Sequence, residues 1–161
     1  MGAQGDRGLV SGWVEIILKD RRGRVKRHIK GNLKNIITNV GLACMVRLVF
    51  TGLTEDKFGY LAIGTGTAGE SSTDTALKAE IKRKTATVTQ TTTTVEGDTA
   101  LLQATFSSAD GLSGTHNVSE TGILNASSGG DLLARKILPS LPVNWDQGDT
   151  LTVKYYVNIT R

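Results

Sequence analysis

Cysteine, proline and aromatic residues are all scarce in this chain. A single cysteine, Cys44, among 161 residues excludes a disulfide scaffold and any cysteine-based zinc site, since each needs several thiols. Aromatic side chains make up only 5% of the chain, which leaves few platforms on which bases or sugars stack. No apolar run approaches the roughly 18–20 residues of a membrane-spanning helix, because the longest, Leu42 to Phe50, is interrupted by Arg47. Met1 to Gly8 lacks the apolar centre of a signal peptide. Synthesis in a cytosol without export by the usual route is expected, and the Asn-x-Ser/Thr triplets at Asn117, Asn125 and Asn158 then read as chance matches.

Hydrophobic residues account for 39% and charged residues for 21%, the balance of one globular domain. A chain of this length buries about 68–70% of the surface it exposes unfolded, so neither a cofactor nor a metal is expected to be needed for folding. The net charge is +4, and the positive charge is unevenly placed. Arg21, Arg22, Arg24, Lys26, Arg27, Lys30 and Lys34 crowd one segment, opposed locally by Asp20 alone. Such a patch attracts phosphate, acidic protein surface or anionic lipid, and these residues are the candidate contacts to a partner or to nucleic acid.

Most of the chain reads as antiparallel strands. Gly12 to Leu18 is rich in β-branched and aromatic residues, Lys19 to Arg24 forms a turn with Gly23 available for a positive φ, and Val25 to Ile29 returns as a second strand. The basic cluster therefore sits at a hairpin tip and on its return strand. From Thr38 to Phe50 the period changes: Leu42, Met45, Val46 and Val49 recur as one face of an amphipathic helix, capped by Thr38 or Asn39 and ended by Gly52. Cys44 beside that face reads as a buried, inert thiol.

Phe58 to Ile63 reads as a buried strand running into Gly64-Thr65-Gly66-Thr67-Ala68-Gly69. These glycines match the letters of a dinucleotide fingerprint, but no helix opens directly after them inside a parallel unit. They read instead as a loop in which backbones approach closely. A short helix is expected over Thr75 to Lys82, with Glu80 near Arg83. The Thr-rich stretch Lys84 to Glu96 reads as one strand that turns at Gly97-Asp98 into Thr99 to Ser107, with Ala100, Leu102, Ala104 and Phe106 on one side. Leu101, Gln103 and Thr105 on the other side are suited to a neighbouring subunit. Val118 to Leu124 and Leu132 to Leu138 flank a hairpin loop, with Pro139 and Pro142 ending the second. Thr150 to Thr160 alternates strictly, with Leu151, Val153, Tyr155, Val157 and Ile159 on one face. The fold class is mainly β: an antiparallel β-sandwich or flattened barrel with one or two short helices.

No nucleophile stands beside a base, and no paired carboxylates or metal-ligand spacing occur in the sequence, so an enzyme is not expected. Glu120 stands out as an acid inside a strand-like run. If buried it needs a cation, for which Arg83 and Arg135 are the natural candidates.

Five short words occur in order: Asn35-Ile36-Ile37-Thr38-Asn39-Val40-Gly41-Leu42-Ala43, Tyr60 to Thr67, Thr73 to Arg83, Ser119-Glu120-Thr121-Gly122-Ile123-Leu124, and Gly148 to Val153. From roughly Asn35 onward this order resembles the small structural domains of tailed-phage virions, particularly the tail-collar fibre family. The resemblance implies a non-enzymatic building block located in the virion, in its tail, collar, fibre attachment or head decoration, and repeated there by symmetry. Copies of itself and other virion proteins are the implied partners, with Arg83 and Glu120 as a framework ion pair.

The expected organisation is an N-terminal arm over 1–11 and a single β-rich domain over 12–161, comprising a basic hairpin (12–34) and a core (35–161). Met1, Gly2 and Trp13 are the candidate subunit-interface residues. The alternatives are a nucleic-acid module using the hairpin, with steep salt dependence, and a host-glycan module using Trp13, Trp145, Tyr155 and Tyr156 as stacking platforms. No membrane partner is expected.

Overall fold

The structure, a computed structural model, describes residues 10–51 and 56–159 and all their side chains except that of Asn32. Met1, Gly2, most of the expected arm and the Gly52 helix stop lie outside the described residues.

Among the described residues ten strands form two antiparallel sheets that pack as a sandwich. They are β1 (Val10–Lys19), β2 (Val25–Lys34), β3 (Ile36–Ile37), β4 (Tyr60–Gly64), β5 (Glu80–Thr85), β6 (Thr87–Thr91), β7 (Thr99–Phe106), β8 (Thr115–Leu124), β9 (Leu132–Asn144) and β10 (Thr150–Ile159), with one helix, α1 (Asn39–Val46). The first sheet runs β2-β1-β10-β7-β6 and the second β3-β9-β8-β4-β5. Val14, Ile16, Leu102, Phe106 and Val153 from the first meet Leu61, Ile63, Val118, Ile123 and Leu138 from the second in one buried core.

The basic hairpin forms as expected, with Gly23 at φ +77° in its turn. It is no appendage: β1 lies between β2 and β10 and contributes Val14, Ile16 and Leu18 to the core. The alternation expected for β10 holds from Leu151 to Val157, but Ile159 is exposed and Asn158 is buried.

Four expectations differ. The Thr-rich stretch is two strands, because the chain crosses from one sheet to the other at Ala86, whose N–H bonds the Gly59 carbonyl at 2.8 Å. No helix forms over Thr75 to Lys82, because the Lys78 and Ala79 amides are taken by the Glu120 carboxylate instead of a helical ladder. The strand β9 continues through Pro139 and Pro142 to Asn144. On its outer side β3 pairs with it only at Ala134 and Arg135, so a missing N–H along the rest of that side breaks no ladder bond.

The helix is the largest departure. α1 stops at Val46, a π-helical turn spans Arg47–Thr51, and of the expected stripe only Met45 packs against the sandwich core while the rest faces away. The residues against the sheet are small: Thr38, Gly41 and Cys44 are all buried. Thr38 caps the helix by accepting the Gly41 N–H at 3.0 Å, and its hydroxyl donates to the Leu132 carbonyl. A Cβ on Gly41 would lie 2.6 Å from the Leu133 Cα. Close approach by small residues thus orients α1, leaving Leu42, Val46 and Val49 exposed.

Candidate functional site

A cluster of buried charges lies on the outer face of the second sheet. Glu120 on β8 and Arg135 on β9 are both fully buried. Arg135 stands opposite Gly122 in the register, so it is the diagonal neighbour of Glu120 on the same face. Its Nε donates to Glu120 Oε2 at 2.9 Å, and one terminal nitrogen reaches the same oxygen at 2.8 Å. The remaining N–H groups go to Asp74 Oδ2 at 3.0 Å and to the carbonyls of Ala68 and Gly69. All three guanidinium nitrogens are engaged.

Glu120 in turn accepts the amides of Gly66 (3.1 Å), Lys78 (3.0 Å) and Ala79 (2.6 Å). Burial pushes the Asp74 carboxyl up, but Lys78, the Ser71 N–H and Arg135 outweigh it and hold the group below its usual value. The glycine-rich loop is therefore strapped across the sheet by ionic and backbone bonds. A Cβ on Gly66 would strike the Glu120 carboxylate, and one on Gly64 would lie 2.5 Å from the Ala79 carbonyl. The expectation of close backbone approach is met, and Glu120 is the carboxylate approached.

The expected partner of Glu120 is corrected. Arg83 binds Glu80 at 2.9 and 2.7 Å and the carbonyls of Ala126 and Gly129, both at 2.8 Å. It lies on β5 opposite Ala62, beyond the position of Glu120 opposite Gly64. The 83–120 pair therefore does not form, and Arg135, the other candidate, takes the role. With each of its charged groups engaged, this cluster acts as a clamp.

On the basic hairpin, Asp20 accepts the backbone amides of Arg22 and Arg24 and the Arg24 Nε, while Lys26 pairs with Asp149 at 2.6 Å. Arg21, Arg22, Arg27, Lys30 and Lys34 are exposed, and among the described residues no carboxylate forms an ion pair with them. Lys34 stands opposite Trp13. Trp13 stacks on Tyr156 across the strands, with ring centroids 5.0 Å apart. Trp145 and Tyr155 are buried, which removes them as stacking platforms: Tyr155 faces the sheet interface and Trp145 closes one end of the core.

Sequence reasoning missed Glu15 and His28. Glu15 sits on the outer face of β1, yet is only 6% exposed. His28 bonds its carboxylate at 2.8 Å, the Tyr156 hydroxyl donates to it at 3.2 Å, and Lys154 is 3.7 Å away. Burial pushes the Glu15 carboxyl up, but these partners prevail and its pKa is lowered. Burial and the adjacent Glu15 raise that of Tyr156. The only sequence signal was the period of two that places Glu15 on the face of Trp13 and Ile17.

The least expected surface is apolar. Leu42, Val46, Val49 and Phe50 are exposed, Phe50 by 80% and Val49 by 67%. Of these, Val49 lines a cleft of about 450 Å³ between the helical segment and one end of the first sheet, together with Met45, Leu48, Phe58, Val88, Leu102 and Ile159 among others. Among the described residues, no group of three or more His, Cys, Asp or Glu is placed to hold a metal ion, and no helix is long and apolar enough to cross a membrane. No family model, curated protein or solved structure matches the chain.

Proposed function

We propose that this protein is a non-enzymatic structural subunit of a tailed-phage-type particle, a tail, collar, fibre-attachment or capsid-decoration component that assembles as a symmetric homo-oligomer. The observation that carries the reading is the outward-facing stripe Leu42, Val46, Val49 and Phe50 beside an apolar cleft. Monomeric soluble proteins rarely expose large contiguous apolar patches, and those that occur mark interaction sites. The rest of the molecule suits a rigid repeated block, with the Glu120–Arg135 clamp tying loop to sheet. The words that resemble the tail-collar fibre family fall on this frame: the first caps and docks α1, and the next three supply Gly66, Asp74, Lys78, Ala79 and Glu120 to the clamp around Arg135.

Absolute mass by light scattering, across concentration and at low and high salt, tests the reading. A defined oligomer that persists at high salt and weakens in Phe50→Asp is expected. The exposure of Phe50 lets that variant fold. A monomer at every concentration refutes self-assembly.

The exposed cations Arg21, Arg22, Arg27, Lys30 and Lys34, which pair with no carboxylate among the described residues, favour a second reading, binding of nucleic acid along the hairpin. Its signature is DNA affinity that falls steeply with salt, because phosphate contacts release counterions. A host-glycan reading would rest on Trp13 and Tyr156 alone.

A further inference from the structure

We infer that two copies of the chain join edge to edge through β6, antiparallel about a twofold axis at Thr89, fusing their first sheets into one. This rests on the assembly reading and names the contact by which assembly begins.

The sandwich has four sheet edges: β2, β6, β3 and β5. Cations guard two of them, with Lys26, Arg27, Lys30 and Lys34 on β2 and Lys82, Arg83 and Lys84 on β5. Charges on an edge strand, lysine above all, oppose pairing with a second copy. The third edge is β3, of two residues, continued by the outer side of β9, where Lys136, Pro139 and Pro142 oppose pairing. The fourth, Thr87-Val88-Thr89-Gln90-Thr91, carries neither charge nor proline, and no charged residue occurs between Lys84 and Glu96. Among the described residues β6 pairs only with β7, so one side of its backbone offers unpaired N–H and C=O groups.

The strand also matches itself. With the axis at Thr89, Thr87 faces Thr91, Val88 faces Gln90, and Thr89 faces its own copy. Thr–Thr pairs are favourable across antiparallel strands, whereas like charges there are not. A twofold contact uses the same patch on both partners, which an uncharged, near-symmetric strand permits and the cationic edges do not.

The apolar cleft supplies the second observation. Val88 and Gln90 stand opposite the inward-facing Leu102 and Ala100, and both line the cleft. A partner strand laid along β6 brings its own Val88 and Gln90 over the rim bordered by Val49 and Ile159. Backbone pairing and burial of that rim therefore occur together.

The test uses the full chain. Thr89→Lys puts two ammonium groups face to face on the solvent side of the strand, and is expected to weaken self-association by about tenfold or more while leaving the thermal melt of the dilute protein unchanged. Thr89→Cys is expected to form a disulfide-linked dimer under mild oxidation, since a twofold axis there brings the two Cβ atoms near bonding distance. Gln103→Cys, exposed on the neighbouring strand β7, is expected not to. Cys44 is buried and does not compete. Undiminished assembly of Thr89→Lys, or crosslinking of Gln103→Cys as fast as of Thr89→Cys, overturns the β6 contact and leaves the assembly reading standing. A wild-type chain that is monomeric at every concentration overturns both.

Discussion

Replacing Arg135 with Met tests whether the buried cluster is a clamp. The substitution keeps much of the side-chain volume but removes all five donors, leaving Glu120 and Asp74 buried with fewer partners. Removing one member of a buried ion pair generally costs about 3–5 kcal/mol. Here Glu120 keeps the amides of Gly66, Lys78 and Ala79, and Asp74 keeps Lys78 and the Ser71 amide, which places the loss at the lower end, about 3 kcal/mol. For a protein of this size that corresponds to a fall in Tm of about 6–12 °C. Urea denaturation and calorimetry read the loss, and hydrogen exchange localises it: amides in the 65–79 loop lose protection before those of β1 and β10. The double variant Arg135→Met, Glu120→Leu gives a sharper result. Replacing both members of a buried pair with apolar residues is often neutral, but here it strands three amides that Glu120 binds, each costing about 1–3 kcal/mol if left unpaired. The double variant is therefore expected to be no more stable than Arg135→Met. A single variant that loses less than about 1 kcal/mol, or a double variant that returns to wild-type stability, refutes the clamp.

Gly66→Ala drives a methyl group into the Glu120 carboxylate and to 2.8 Å from the Lys78 Cβ; a loss of about 1–3 kcal/mol is expected as a lower denaturant midpoint with unchanged slope. Glu15, Asp20, Asp74 and Asp110 all have lowered carboxyl pKa values, so their stabilisation is full above the ordinary carboxylate range and is lost as pH falls through the folded values. Melting temperature should hold down to about pH 5 and fall below about pH 4, with Asp74→Asn showing a shallower acid limb; stability that rises on acidification contradicts this. Among the described residues both polar atoms of the Asn35 side chain are buried with no hydrogen-bond partner, so the near-isosteric Asn35→Leu is expected to stabilise the protein by about 1 kcal/mol, and a melting point lowered by the change refutes that.

What could be read from the sequence was set by short-range physics. The period of two in β7 and β10, the Gly23 turn and the Thr38 cap all depend on residues within a few positions of one another. What could not be read was decided by distant groups. Leu77 and Ile81 have helical spacing, but the amides between them are bound by Glu120, some forty residues along the chain, and local propensity yields to such contacts. Nothing in the run of alternating threonines marks Ala86 as the point where the chain changes sheets. Arg83 and Arg135 were equal candidates until the register placed Arg135 diagonally across Gly122 from Glu120.

The helix teaches a different lesson, because its presence and its Thr38 cap were read correctly and its direction was not. Apolar periodicity says that a face is to be buried; it does not say against what. Turning α1 to bury Leu42 and Val46 in its own sandwich would break the Thr38 bonds to Gly41 and Leu132 and lift Gly41 from the backbone of Leu133. The small-residue face therefore fixes the bulky face outward, whatever the hydrophobic cost of its exposure. A stripe held out by the cap and packing of its own helix is a lasting feature of the folded chain, and the means left to take it out of water is another surface placed over it.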